Sequence, residues 1–308
     1  MPLRRPPRFV RHAAALLAAA ALVLLAATTF DGRWAAVRQA CLRIGPGGLL
    51  LPVVLTLLNL QLRFARWQLY LRAQGHALPR WLHWRLFVAG FAFALTPAGA
   101  GDASRAWLLR GRGVDPAHSL AALLSERASD LLVLLLLGAL LHVWLLALAL
   151  ALGAALLLPR ALRVARRRLL QRLLPRLLRR LLRQARRCHA PALLWRANLL
   201  GLAAWCAEAL AFHAIGSRIG LALSLPLSAG IYALSLLAGG LSAAPGGLGG
   251  TEMVMVALLV GCGANLPDAL ATTLLTRLAT LWFTVVLGGS VLASLRLAGR
   301  GGAATSRA

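Results

Sequence analysis

The sequence contains no lysine, and only eight of its 308 residues are acidic. Its 34 basic side chains are therefore all arginine, which reads as a compositional habit and carries no chemistry by itself. Four cysteines (Cys41, Cys188, Cys206, Cys262) form no CxxC pair and no histidine-spaced cluster, so neither a disulfide framework nor a zinc site is indicated. HExxH, GxSxG and Asp-rich metal-ligand spacing are absent, which removes the commonest hydrolase signatures. Without a GxxxxGK[ST] loop, nucleotide hydrolysis is not expected either. No metal or organic cofactor is anticipated.

Apolar residues are abundant. They make up 60% of the chain, and the mean hydropathy is +0.75, far from the average of a water-soluble domain. A helix crosses a hydrocarbon core of about 30 Å with roughly 20 apolar residues. Stretches of that kind lie at 13–30, 46–62, 118–138, 139–158, 197–216 and 268–292. The first follows a basic segment, MPLRRPPRFVRH, and could be read alone as a signal peptide. With five more stretches downstream, a retained signal anchor is expected. The formal charge of +26 raises nucleic acid as a partner. Most arginines lie between apolar stretches, however, so membrane topology and anionic lipid explain them more simply, and nucleic acid is not expected.

Residues 160–187 carry twelve arginines and no acid. Under the positive-inside rule this loop stays cytoplasmic, and the N-terminus, the 63–85 connection (Arg63, Arg66, Arg72, Arg80, Arg85), residues 99–117 and the C-terminus face the same way. Arg33, Arg38, Arg43 and Arg218 fall in outer loops. The leucines of 160–187 recur at helical spacing, with Pro175 as a kink. An amphipathic helix on the inner leaflet is expected, with anionic lipid as its partner; the alternative is that the segment only fixes topology. Both connections around 86–98 face inward, yet that apolar arm has about 13 residues, too few to span. It should enter and return, with LTPAGAGDASR (95–105) as tip and returning arm. The alternative is a cytoplasmic turn closing a tilted helix.

The chain also resembles itself. Residues 121–138 align without a gap on 271–288, pairing Arg127 with Arg277 and Gly138 with Gly288. Upstream, PAGAGD (97–102) falls near PGGLGG (245–250), and an acid follows each, Asp102 and Glu252. The reading is an all-α polytopic integral membrane protein with about six spanning helices plus two re-entrant broken hairpins, arranged as an inverted repeat. Unit one runs from about 10 to 138 and unit two from about 139 to 295. The second unit contains the Arg-rich segment 159–196, and a short polar tail follows at 296–308. Inverted repeats with broken helices near the midplane are built to bind substrate there.

Arg127 and Arg277 sit about ten residues into their helices, where an isolated arginine costs roughly 2.5–3.5 kcal/mol. Each should face the bundle interior and have a partner. Asp130 is three residues from Arg127, whereas Arg277 needs Glu252, Glu208 or a ligand phosphate, which the planar guanidinium suits. Ion pairs that merely hold the bundle together are the alternative. Glu208, in the 197–216 stretch, is either a proton site or an arginine partner.

The string PAGAGDASRAWLLRGRG followed by SLAALLSERASDLLVLLLL, and SAAPGGLGGTEMVMVALLVGCG followed by ALATTLLTRLATLWFTVVLGG, resembles the flippase-like family related to the transmembrane region of lysylphosphatidylglycerol synthases. The resemblance covers roughly 10–295. It implies substrate-binding elements at Pro97, Gly101, Asp102 and Arg105, then Glu126, Arg127 and Asp130; the second set is Pro245, Gly246, Gly247, Gly249, Glu252 and Arg277. The first loop departs from the family pattern at Ala100, where a bulkier, often basic residue is common before the second glycine. The synthases also carry a soluble aminoacyl-transferring domain, which this sequence does not show, so synthase activity is not expected. What the resemblance implies is movement of an anionic phospholipid or lipid-linked molecule across a bacterial cytoplasmic membrane, with both termini inside. An intramembrane enzyme acting on lipid headgroups is a second reading. A scaffold for a partner synthase or glycosyltransferase is a third. A second copy of the chain or a partner synthase are the protein partners left open.

Overall fold

A computed structural model describes residues 33–96, 103–141, 184–185, 187–188, 190–242 and 244–305, and these contain helices and no strand. The expected stretch 13–30, all but the first residues of 139–158, and nearly all of 160–187 lie outside the described residues. Helix α1 (Arg33–Gly48) occupies what the arginine count assigns to an outer loop. Its Val37, Ala40 and Ile44 recur at helical spacing and bury against Ile215, Ile219, Ala271 and Leu275, so apolar periodicity outweighs the arginines of this segment, of which Arg38 and Arg43 are exposed. The chain then bends by 79° into α2 (Leu50–Ala73), with Gly45 at φ 64° before the bend.

Helix α2 carries the largest departure from expectation. Its sequence puts Leu50, Leu51, Val54, Leu57 and Leu58 on an exposed face, which suits lipid tails. Asn59, Arg63, Arg66 and Tyr70 share the opposite stripe and are buried. The arginine-based reading places Arg63 and Arg66 in a cytoplasmic connection. The structure instead continues the helix to Ala73, with Arg63 and Arg66 only 7% and 0% exposed. Buried carboxylates compensate these charges, which is why the helix does not stop at them.

Helix α3 (Arg80–Ala89) tightens into a 3-10 turn at Gly90–Phe93, and the chain resumes as α4 (Ser104–Arg110). Helix α5 (Pro116–Gly138) begins with Asp115, whose carboxylate accepts from Ala117 N–H at 2.8 Å, and with proline at the first position, where its missing N–H costs nothing. Helix α6 (Pro191–Ile219) ends on Gly220 at φ 108°. Helix α7 (Leu225–Leu241) leads to a 3-10 turn at Pro245–Gly247 and then α8 (Gly250–Gly261), which packs back along α7. Helix α9 (Leu266–Arg277) passes through a π turn at Leu278–Trp282 into α10 (Phe283–Thr305). The helix therefore continues through most of the segment expected to be a polar tail.

Among the described residues all regular structure is helical. Helix α6 and the continuous run Leu266–Leu295 are long and apolar enough to cross a bilayer, and the bent α1–α2 pair would make a third span. Exposed Trp81 and Trp195 lie near the starts of α3 and α6 and Trp107 in the middle of the short α4, with Arg80 and Arg196 near the starts of α3 and α6 and Arg72 and Arg110 near the ends of α2 and α4. Contacts such as Gln74 Nε2 donating to Cys188 Sγ at 3.1 Å gather these ends together.

Packing links the two halves reciprocally. Helices α2 and α6 lie along one another, α5 packs against α7, and α10 packs against α3 and its 3-10 turn. Two glycines that align in the sequence repeat sit at these crossings. A Cβ on Gly138 would come within 2.8 Å of Leu234 Cδ2 in α7. A Cβ on Gly288 would come within 2.5 Å of Ala92 N and 2.8 Å of Val88 O. Both glycines thus lie where helices distant in sequence cross closely, Gly138 against the end of a leucine side chain and Gly288 against backbone that cannot yield.

Candidate functional site

Two charged clusters meet at the centre of the bundle. In the first, Glu126 of α5 is fully buried and faces three arginines: Arg63 Nη2 at 3.4 Å, Arg66 Nη2 at 3.1 Å and Arg105 Nη1 at 3.2 Å. Asp130, one turn on, accepts from Arg66 Nη2 at 2.7 Å and from Trp205 Nε1 at 2.8 Å. The spacing of 126 and 130 puts both carboxylates on one helical face, and that of 63 and 66 does the same for two arginines on α2. Arg105, from α4, lies over Phe87 at 4.2 Å, Phe91 at 4.8 Å and Trp67 at 5.3 Å from the ring centroids. Cation–π contacts in a desolvated setting hold its guanidinium in place.

The second cluster is built around Arg277. Its Nη2 donates to Gly246 O at 2.6 Å, and its Nε lies 2.5 Å from Glu252 Oε1. Glu252 in turn accepts from Gly249 N–H at 2.6 Å, at the start of α8. Gly246, Gly247 and Gly249 have φ of 62°, 69° and 82°, backbone that side-chain-bearing residues rarely adopt. The Pro245–Gly249 break thus aims a backbone carbonyl at the arginine and a helix start at the carboxylate. Glu252 is the partner that the sequence offers Arg277 among its alternatives.

A cavity of about 200 Å³ opens between the clusters. Its wall includes Arg63, Arg127, Arg277, Glu208 and Tyr232, with Gly246 from one break and Ala94 from the 3-10 turn of the other half. The two arginines aligned by the repeat therefore border one space. Arg127 is not enclosed as expected: its side chain is 45% exposed and pairs with Asp130 at 3.6 Å. Arg63 is 91% enclosed, since its side-chain exposure is 9%. Its guanidinium lies between the rings of Phe91 at 5.2 Å and Trp205 at 5.6 Å, and its Nε has no hydrogen-bond partner among the described residues. A flat, preoriented cation with an unused donor at a cavity wall is suited to a phosphate oxygen.

The structure thus brings together Arg105, Glu126, Arg127, Asp130, Gly246, Glu252 and Arg277, with Pro245, Gly247 and Gly249 shaping the break. Pro97, Gly101 and Asp102 lie outside the described residues. Sequence reasoning missed Arg63 and Arg66, although Asn59, Arg63, Arg66 and Tyr70 fall on one helical stripe. It also assigned nothing to Trp205 or Tyr232, whose roles depend on distant partners.

The family model described as Lysylphosphatidylglycerol synthase TM region matches residues 12–288. The match is to the membrane region, and no catalytic domain is identified. No curated protein matches the chain.

Proposed function

The chain belongs to the lysylphosphatidylglycerol synthase TM region family, a membrane family linked by its description to phospholipid modification, and on that premise we propose that it moves an anionic phospholipid, or a lipid-linked molecule with a phosphate headgroup, between leaflets of a bacterial cytoplasmic membrane. The observation that carries this reading is the convergence of Arg127 and Arg277, repeat-related in sequence, with Arg63 on one cavity. At about 200 Å³ the cavity is smaller than the roughly 300–1,000 Å³ of drug-sized ligand sites. It suits a headgroup whose acyl chains stay outside in lipid.

The remaining architecture is read in the same sense. Helix α3 and its turn with α4, and α7 with α8, act as two re-entrant hairpins entering from opposite faces. The reciprocal crossings at Gly138 and Gly288 support an inverted repeat with units of about 10–138 and 139–295 and about six spans. Tryptophans and arginines at the starts of α3 and α6, with Arg72 and Arg110 at the ends of α2 and α4, support a cytoplasmic face there. The Arg160–Arg187 segment would add attraction to anionic lipid on that face.

The test is movement of fluorescently labelled phospholipid in liposomes containing the purified protein. Replacing Arg277 by glutamine removes charge-assisted hydrogen bonds of about 1.5–3 kcal/mol, so the rate should fall about 10- to 100-fold. An unchanged rate in a folded variant overturns the reading. Lipid mass spectrometry of a deletion strain tests the enzyme alternative: a missing chemical species favours an enzyme, an altered leaflet distribution favours transport.

A further inference from the structure

Glu208 is the cavity carboxyl that the ion-pair network does not use. It lies on α6, 7% exposed, and its Oε2 accepts from the Tyr232 hydroxyl at 2.6 Å. The charged and titratable groups that share the cavity with it are Tyr232 from α7, Arg63 from α2, Arg127 from α5 and Arg277 from α9, with Asp130 of α5 near enough to act on it electrostatically. Helix α1 meets only the far end of α6, where Arg43 Nη1 donates to Ile219 O at 3.3 Å. Each arginine near Glu208 already has another carboxylate: Arg63 has Glu126, Arg277 has Glu252, and Arg127 has Asp130. Among the described residues no guanidinium comes within ion-pairing distance of Glu208.

The same space must then hold an anionic headgroup and a carboxyl. Two anions brought together in about 200 Å³ beside buried, low-dielectric walls repel strongly. The arginines would be shared between phosphate and Glu208, and neither would be satisfied. A proton on Glu208 removes the conflict in two ways. It cancels the second negative charge, and it converts an acceptor-only group into one that can donate to a phosphate oxygen. The Tyr232 hydroxyl donates to one carboxyl oxygen and fixes it, leaving the other to be protonated.

We infer that the cavity carries one proton with each anionic headgroup, with Glu208 as the side chain that takes the proton up on one face and releases it on the other. The inference rests on the lipid-moving reading. A singly charged phosphodiester and one proton together carry no net charge. Transport is then driven by a pH difference and is indifferent to membrane potential.

The experiment uses phosphatidylcholine vesicles containing the full chain and a trace of labelled phosphatidylglycerol, with a pH-sensitive dye in the lumen and protein-free vesicles as the baseline. For one proton per lipid, a difference of one pH unit shifts the leaflet distribution by up to about tenfold. The lumen acidifies as lipid moves inward. Glu208→Gln should move lipid more slowly and with no response to the pH difference. Glu208→Asp retains a protonatable carboxyl and should retain the response. Melting of each purified variant confirms that it is folded. If the wild type moves lipid without any response to the pH difference, or if Glu208→Gln responds like the wild type, proton coupling is overturned and lipid movement stands. If the wild type moves no lipid above the protein-free baseline, the transport reading falls and this inference falls with it.

Discussion

Arg63 and Arg66 are three residues apart on one helix and face the same carboxylate, yet their surroundings assign them different work. Arg66 is fully buried, with Glu126 at 3.1 Å, Asp130 at 2.7 Å and Ser129 Oγ at 3.4 Å as partners. A Cβ on Gly201 would come within 2.5 Å of its Nη1. Removing one member of such a buried network strands the opposite charges, at a cost of about 3–5 kcal/mol. Arg66→Ala should therefore lower the unfolding midpoint in detergent sharply. Arg63 borders the cavity, so Arg63→Lys should keep most of the stability and lose lipid movement, because an ammonium cannot stack between Phe91 and Trp205 or offer a planar fork. A variant with normal transport and normal stability would show that Arg63 is a bystander. Both side chains were readable in the sequence as part of a stripe with Asn59 and Tyr70. The positive-inside rule outweighed that signal, because it treats every arginine beside a span as a loop residue, whereas Glu126 and Asp130, some 60 residues later, make burial affordable.

At the scale of elements, the two segments that the sequence repeat aligns are related but not identical. The repeat pairs Glu126 with Thr276 and Asp130 with Thr280, so α9 lacks the carboxylates of α5. Arg277 takes its partner from α8, and the chain beyond it opens into a π turn, a distortion often found at functional sites. The paired glycines also differ in what they meet. Gly138 faces the end of a flexible leucine, while Gly288 faces backbone atoms of Val88, Phe91 and Ala92. Alanine gains up to about 1 kcal/mol over glycine in a helix interior, and Leu234 can rotate away, so Gly138→Ala should be close to neutral. Backbone cannot yield in that way. Gly288→Ala should cost about 1–3 kcal/mol, measured as a lowered melting midpoint, and equal midpoints for the two variants would contradict the packing. The sequence alignment revealed that these glycines correspond. It carried no information about what each touches, since a gap-free match reports only spacing along the chain.

For the whole molecule, the legible part is the class: a helical membrane protein with Pro/Gly breaks and intramembrane arginines, whose family follows from the order of its motifs. What composition could not supply is the convergence. Arg63, Arg127 and Arg277 are separated by more than 200 residues of chain, and they border one cavity because α2 and α6 run side by side, α5 packs on α7 and α10 packs on α3. The central claim is that this cavity selects a negatively charged headgroup. The most direct test compares labelled phosphatidylglycerol with labelled phosphatidylcholine in the same preparation of protein-containing vesicles. A net gain of one charge-assisted contact, about 1.4 kcal/mol, corresponds to a factor of ten. Phosphatidylglycerol should therefore cross about tenfold faster or more, with the preference lost in Arg277→Gln; equal rates for the two lipids, or no movement above protein-free vesicles, would contradict the account.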